Sequence, residues 1–128
     1  ELDCRVNDIV WGNDARMLLT TGPSKKCMIW DVENGVILDS YDVETTNSLI
    51  DSNRSGTIAA TCNKGVCLID PRSGFGESRI GSKLKILNVR WSIISNRILH
   101  LTDNDMNIYS WDIRMLNRYM MKRCLTHS

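Results

Sequence analysis

The chain has 128 residues, a formal net charge of +1 and 42% apolar residues, which suits one soluble globular unit with a hydrophobic core. The near-neutral charge gives no general argument for binding to nucleic acid or to an anionic membrane. No apolar run approaches the roughly 20 residues that a membrane-spanning helix needs, and no secretion signal is visible. We therefore expect neither nucleic-acid binding nor integral membrane insertion. Because the chain begins at Glu1 and stops abruptly at Ser128, we expect both ends to lie inside a longer protein.

Short β-rich runs separated by turn residues follow one another along the whole chain. Every run is too short for a typical helix, so each is predicted to be a strand and the fold class to be all-β. In chain order the predicted strands are Asp8–Trp11, Met17–Thr20, Lys26–Asp31, Val36–Tyr41, Ser48–Asp51, Thr57–Thr61, Gly65–Asp70, Ser78–Ile80, Leu87–Trp91, Arg97–Thr102, Met106–Asp112 and Tyr119–Leu125.

Three sets of residues recur with one common spacing of about 40 residues. The first set closes a predicted strand with an apolar residue and an aspartate, and its aspartates are 39 and 42 residues apart. The second set recurs every 40 residues and the third every 41 residues. The sets are Trp30-Asp31, Ile69-Asp70 and Trp111-Asp112; Trp11, Asp51 and Trp91; and Thr20, Thr61 and Thr102.

A period of roughly 40–45 residues with a Trp-Asp signature is typical of four-stranded propeller blades. We therefore predict a partial β-propeller of about three four-stranded WD-repeat blades, approximately 5–43, 44–83 and 84–126. No Gly-His dipeptide precedes the first strand of any unit, so the signature is incomplete. Asp105 matches the aspartate that a regular WD repeat places in the turn before its third strand.

Two longer stretches carry a family resemblance. They are L-L-T-T-G-P-S-K-K-C-M-I-W-D-V-E-N-G at 18–35 and S-N-R-S-G-T-I-A-A-T-C-N-K-G-V-C-L-I-D-P-R-S-G at 52–74, followed by R-I-L-H-L-T at 97–102 and W-D-I-R-M-L at 111–116. The chain resembles the coronins, WD-repeat proteins that bind actin, along roughly residues 6–125. The I-D-P-R-S-G segment at 69–74 resembles the end of the third strand in a middle blade of that family.

The resemblance implies actin-filament binding, a role in the cytoskeleton, a cytoplasmic location and oligomerisation through segments outside this sequence. The chain departs from the family by having only Asp103-Asn104-Asp105 where coronins carry a longer polar segment. The basic residues linked with filament binding in the family lie largely in other parts of the protein. No actin-contacting residue is therefore carried over to this chain.

Two Asp-x-Arg boxes stand at the same place in successive units, with Arg72 following Asp70 and Arg114 following Asp112. Paired boxes of this kind resemble those of WD-repeat substrate receptors for cullin-RING ubiquitin ligases, where the arginines bind an adaptor. The guanidinium group offers five donors in a fixed fork that suits partner carboxylates. The alternative is that each arginine pairs with its own aspartate or with a neighbouring blade.

The stretch after residue 113 contains basic residues and no acidic ones. Read as a helix, it has a basic amphipathic face for an acidic partner or a membrane surface. Read as the outer strand of a blade, it is an edge protected by positive charge, and the repeat register favours this strand. The candidate protein-binding residues of the chain are thus Arg72, Arg114, Arg118, Lys122 and Arg123.

Cysteine and histidine give no support for a metal site or a catalytic site. The five cysteines form no C-x-x-C pair, which disfavours a zinc site built from Cys62, Cys67 and His100. We expect the cysteines instead to be small buried residues of the core. Reduced thiols are expected, as in the cytosol. His100 lies inside a predicted strand, where a core or inter-blade position is expected. No hydrolase, zinc-protease or phosphate-loop motif is present, so we expect a binding protein that uses no cofactor and is not an enzyme.

Overall fold

The computed structural model describes residues 5–12, 14, 16–73, 78–115 and 121–124, and for 73 and 121–124 only the backbone is described. These residues form three antiparallel sheets of four strands each. The predicted all-β class is confirmed, and the strand bounds differ from those predicted by at most two residues. The strands are β1 (Asp8–Trp11), β2 (Met17–Thr21), β3 (Lys26–Asp31), β4 (Val36–Asp42), β5 (Ile50–Ser52), β6 (Ile58–Thr61), β7 (Val66–Ile69), β8 (Ser78–Ile80), β9 (Ile86–Trp91), β10 (Ile98–Asp103), β11 (Asn107–Asp112) and β12 (Met121–Cys124).

Each sheet is built from four consecutive strands, paired in chain order. A single 3-10 turn, Pro71–Ser73, follows β7. Because neighbouring strands are antiparallel, the turns alternate between two ends of the sheets. We call the end where β1, β5 and β9 begin the entry end. It holds the β2–β3, β6–β7 and β10–β11 turns and the connections between sheets, whereas the other turns lie at the opposite end.

The second sheet is apolar on both faces and lies between the first and third sheets. Every residue of β6 and β7 is buried. Successive side chains of a strand point to opposite faces. In β6, Ile58 and Ala60 therefore join the core shared with the first sheet, and Ala59 joins the core shared with the third sheet. This double burial explains why these strands read as continuous apolar runs rather than as an alternating pattern.

Hydrogen bonds between first strands connect neighbouring sheets in a repeated way. The Ile50 backbone N–H donates to Oδ2 of Asp8 at 2.9 Å, which joins β5 to β1. One sheet further, the Trp91 N–H donates to Oδ2 of Asp51 at 2.8 Å, and the indole Nε1 donates to the Asp51 carbonyl at 3.2 Å. An aspartate on the first strand of one sheet thus caps an amide on the first strand of the next.

The two outermost faces of the stack differ in character. The register places Ile9 and Trp11 on the face of the first sheet that the second sheet does not cover, and they are 55% and 61% exposed. On the third sheet, His100 lies opposite Arg90 and Ser110 on the uncovered face. The first sheet therefore presents an apolar outer face and the third sheet a more polar one. The apolar outer face consists of Ile9, Trp11, Leu18, Met28, Trp30 and Ile37.

Candidate protein-binding surface

The residues of the first repeated set, an apolar residue followed by aspartate, lie at the end of the third strand in each sheet. Trp30 is partly buried, and its indole Nε1 donates to Oγ1 of Thr20 at 2.9 Å. Ile69 and Trp111 are buried, with exposed fractions of 2% and 4%. The Trp111 indole Nε1 donates to the carbonyl of Met115 at 3.0 Å. The two tryptophans thus make different hydrogen bonds, and Ile69, having no polar atom in its side chain, makes none.

The two Asp-x-Arg boxes begin with the aspartates of this set, at the end of the sheets opposite the entry end. They have the same geometry. The backbone N–H and Nε of Arg72 donate to Oδ1 of Asp70 at 3.0 and 3.1 Å, and its Nη2 donates to Oδ2 at 3.3 Å. In the third sheet, the backbone N–H and Nε of Arg114 donate to Oδ1 of Asp112 at 2.9 and 3.0 Å, and its Nη2 donates to Oδ2 at 2.6 Å. Each arginine therefore pairs with the aspartate of its own box.

This pairing lowers the pKa of the two carboxylates but leaves the arginine side chains accessible to solvent. Hydrogen bonds from Arg114 lower the pKa of Asp112 to about 2, and those from Arg72 lower the pKa of Asp70. The arginine side chains are still 66% exposed at Arg72 and 60% exposed at Arg114. Since each box uses Nε and Nη2, the two N–H donors on Nη1 remain for another acceptor. The boxes thus hold two oriented guanidinium groups at one end of the molecule.

The first sheet replaces this box with Asp31-Val32-Glu33. Oδ1 of Asp31 accepts the backbone N–H groups of Glu33 and Asn34 at 3.0 and 3.3 Å, and its Oδ2 accepts the Asn34 side-chain amide at 2.7 Å. These bonds, chiefly the one from the Asn34 side chain, lower the pKa of Asp31. Glu33 stands where the arginine stands in the other two sheets, and it lies 3.5 Å from Nε of Arg16. The paired arginines are therefore a property of the second and third sheets.

The basic C-terminal stretch is partly described. Lys122 and Arg123 belong to β12, where they lie opposite Tyr109 and Ile108 of β11. The helical interpretation is therefore wrong for residues 121–124, because the repeat register continues there and supplies a strand partner. Arg118 lies outside the described residues.

The turn before β11 is organised by a residue that the sequence interpretation did not identify. The buried carboxylate of Asp103 accepts the backbone N–H groups of Asp105 and Asn107 at 2.9 Å each, the Asn107 amide at 3.0 Å and the Tyr109 hydroxyl at 2.8 Å. Burial by itself raises the pKa of Asp103, but these hydrogen bonds outweigh it and lower the pKa to about 2. Asp105 lies in this turn, as expected, but its side chain is exposed and its backbone amide donates to Asp103.

Cysteine pairing also differs from the sequence expectation. Cys62 and Cys67 are joined by a disulfide across the β6–β7 turn, whereas reduced core thiols were expected. The expected burial is found for both of them, and Cys27 is a buried free thiol whose pKa is raised to about 12 by burial. Cys62 directly follows β6 and Cys67 lies in β7, and the hairpin brings them together, which their spacing alone does not show.

His100 and the remaining ionisable residues form no metal site in the described part of the chain. Nδ1 of the exposed His100 ring lies 3.0 Å from Oγ of Ser110, so the histidine is outside the core, on the uncovered face of the third sheet, which leaves the expected inter-blade position open. Among the residues described, no three His, Cys, Asp or Glu side chains are grouped as a metal ion would require. Over the same residues, no helix has the length and apolar character needed to cross a bilayer.

Two further sets of residues were missed by the sequence interpretation. One is an ion pair between β8 and the connection that joins β4 to β5, in which Nη1 and Nη2 of Arg79 donate to the two oxygens of Glu44 at 3.0 and 2.8 Å. The other is a group of lysines in the turns at the entry end. Aligning the turns of the three units would have revealed the lysines, whereas the ion pair depends on how the sheets stack.

Comparison of the chain with protein-family models and with curated proteins gave no match. Its function is therefore inferred from its residues and contacts.

Proposed function

We propose that this chain is part of a WD-repeat propeller that binds other proteins, and that its partner is the actin filament, as in coronins. The observation that carries the proposal is the regular stacking of three four-stranded sheets. Each sheet is built from consecutive strands, and the second is apolar on both faces. A four-stranded unit that repeats about every 40 residues and packs face to face on its neighbours matches the design of a propeller.

The outer face of the first sheet supports a larger ring. Ile9 and Trp11 are exposed on it, whereas the corresponding positions of an inner sheet are covered by a neighbour. Contiguous exposed apolar surface of this kind marks a site of packing against another element. A further blade of the same design would cover it.

The functional part of the proposal rests on the coronin resemblance of residues 18–35 and 52–74. Co-sedimentation of the full-length protein with actin filaments at low salt tests it, because weak electrostatic contacts are strongest under that condition. We expect the protein to pellet with filaments and to stay in solution without them. Absence of filament-dependent pelleting at low salt would contradict actin binding while leaving the propeller proposal in place.

A second candidate is the substrate receptor of a cullin-RING ubiquitin ligase. The observation that favours it is the repeated geometry of Arg72 and Arg114, which are exposed and held in the same orientation by their own aspartates. Charge reversal of both arginines to glutamate would place like charges beside Asp70 and Asp112 and remove the donor fork. Under this candidate, the double variant loses adaptor pull-down. Retained pull-down by a folded double variant would exclude it.

A further inference from the structure

The positive side chains of the turns are sorted between the two ends of the molecule. The turns and connections at the entry end, together with the first residue of β3, carry lysines, and the turns at the opposite end carry arginines. All ten residues are exposed. The entry-end lysines are Lys25, Lys26, Lys64, Lys83 and Lys85, and the opposite-end arginines are Arg16, Arg54, Arg72, Arg97 and Arg114. Arg5, which precedes β1, is an arginine that also lies at the entry end.

The two ends differ in how these charges are paired. Arg72, Arg114 and Arg16 each lie within 4.0 Å of a carboxylate of the same chain. In the described part of the chain, no such ion pair involves any of the five entry-end lysines. A lysine ammonium is a strongly hydrated point charge on a flexible stem, so it contributes an accessible positive potential without holding a fixed geometry.

The acidic residues at the entry end are partly committed to other contacts. Glu44 is held by Arg79, and the buried carboxylate of Asp103 is saturated with hydrogen bonds. The carboxylate of Asp8 accepts the backbone amides of Ile9 and Ile50. Asp42 and Asp105 are exposed there. Two exposed aspartates beside five exposed lysines leave this surface with a positive balance, which favours an acidic partner.

Lys25 carries an additional signal. It has φ 62°, in the left-handed region, and its equivalents Gly65 and Met106 have φ 77° and 65°. Glycine adopts this conformation without cost, whereas a residue with a Cβ is strained there. A lysine at this exposed position therefore makes the turn less stable than a glycine would. A local cost of this kind is consistent with a role in binding.

We propose that the lysine-bearing entry end is the surface that contacts an acidic protein partner. The proposal rests on the proposed function and assigns that interaction to one end of the molecule. Long-range attraction steers the partner towards the lysines, which make salt-sensitive contacts at the rim of the interface. At the opposite end, three of the five arginines are paired with carboxylates of the same chain, so that end contributes less.

Charge-matched variants of the full-length protein test this assignment. One replaces Lys25, Lys64 and Lys85 with glutamine, and the control replaces Arg16, Arg54 and Arg97 with glutamine. The probes are actin filaments in co-sedimentation and poly-L-glutamate in a titration, each at low and at moderate salt. We expect the lysine variant to bind both probes about tenfold more weakly with a reduced salt dependence, and the arginine control to change less than about twofold.

The single variant Lys25→Gly separates binding from folding. It removes a charge and also relieves the left-handed strain, so we expect weaker binding together with unchanged or higher thermal stability. Weakened binding with lower stability would instead indicate damage to the turn and would count against the proposal.

The two probes distinguish failure of this inference from failure of the proposed function. Equal weakening by the lysine and arginine variants would overturn the entry-end assignment, even if the wild-type protein binds filaments. Lysine-dependent binding of poly-L-glutamate without filament binding would overturn the actin proposal and support the entry-end surface.

Discussion

Asp103 is a buried carboxylate that holds the β10–β11 turn through four hydrogen bonds. Replacing it with asparagine removes the negative charge and presents an amide donor to groups that are themselves donors. We expect Asp103→Asn to lower the free energy of unfolding by about 3 kcal/mol, measured by urea denaturation. Asp105→Asn is the matched control, since Asp105 is exposed in the same turn. An equal loss in both variants would contradict the role given to Asp103.

The pH dependence of stability follows from the same residue. The pKa of Asp103 falls from its ordinary value of 3.8 to about 2 in the folded protein. Between these values the unfolded chain binds the proton and the folded chain does not, so stability rises with pH in that window. The contribution of Asp103 is complete above about pH 4 and is lost as the pH falls towards 2. We expect Asp103→Asn to flatten this part of the acid denaturation profile.

Two glycines with similar backbone angles provide a comparison between strain alone and strain with a steric clash. Gly65 has φ +77°, and a Cβ there would lie 2.5 Å from the carbonyl oxygen of Ile80, whereas Gly35 has φ +65° and open space around it. We expect Gly35→Ala to cost about 1 kcal/mol and Gly65→Ala about 3 kcal/mol in urea denaturation. Similar losses at both positions would contradict the close approach of β8 to the β6–β7 turn.

At the scale of elements, the strands follow from local sequence patterns. β3 and β11 combine β-branched or aromatic residues with turn residues on either side, which places their limits within one residue of the prediction. The 40-residue spacing then groups the strands into units of four. The disulfide of the β6–β7 hairpin could not be predicted from local patterns, because it depends on how the two strands pair.

The disulfide gives a prediction for this hairpin. Closing so short a loop stabilises the folded chain by about 2 kcal/mol through the loss of unfolded-state freedom. We expect the double variant Cys62→Ser and Cys67→Ser to be less stable than the wild type without reductant, and the difference to shrink with dithiothreitol, which breaks the wild-type disulfide. Mass spectrometry of peptides from the unreduced protein should recover residues 62 and 67 in one linked species. Two free thiols at these positions would contradict the pairing.

At the scale of the whole molecule, the apolar outer face of the first sheet predicts self-association of the 128-residue chain. Replacing Ile9 and Trp11 with lysine should shift its sedimentation towards the monomer, because it removes the largest exposed side chains from this face. Lysines in place of Ile93 and Ile94, which are 87% and 91% exposed in a turn at the opposite end, are the matched control. A cooperative, concentration-independent melt of the wild-type chain would contradict the prediction.

The sequence by itself determined the number, limits and class of the strands, because alternation, turn residues and a fixed period are local properties of the chain. It also placed Arg72 and Arg114 at equivalent positions, but left open whether they bind their own aspartates. Tertiary structure decided that pairing and made Asp103, not Asp105, the residue that holds the β10–β11 turn. It also decided the hydrogen bonds that Asp8 and Asp51 accept from backbone amides of the next sheet. These contacts depend on register, side-chain direction and the stacking of residues about 40 positions apart, none of which a local pattern specifies.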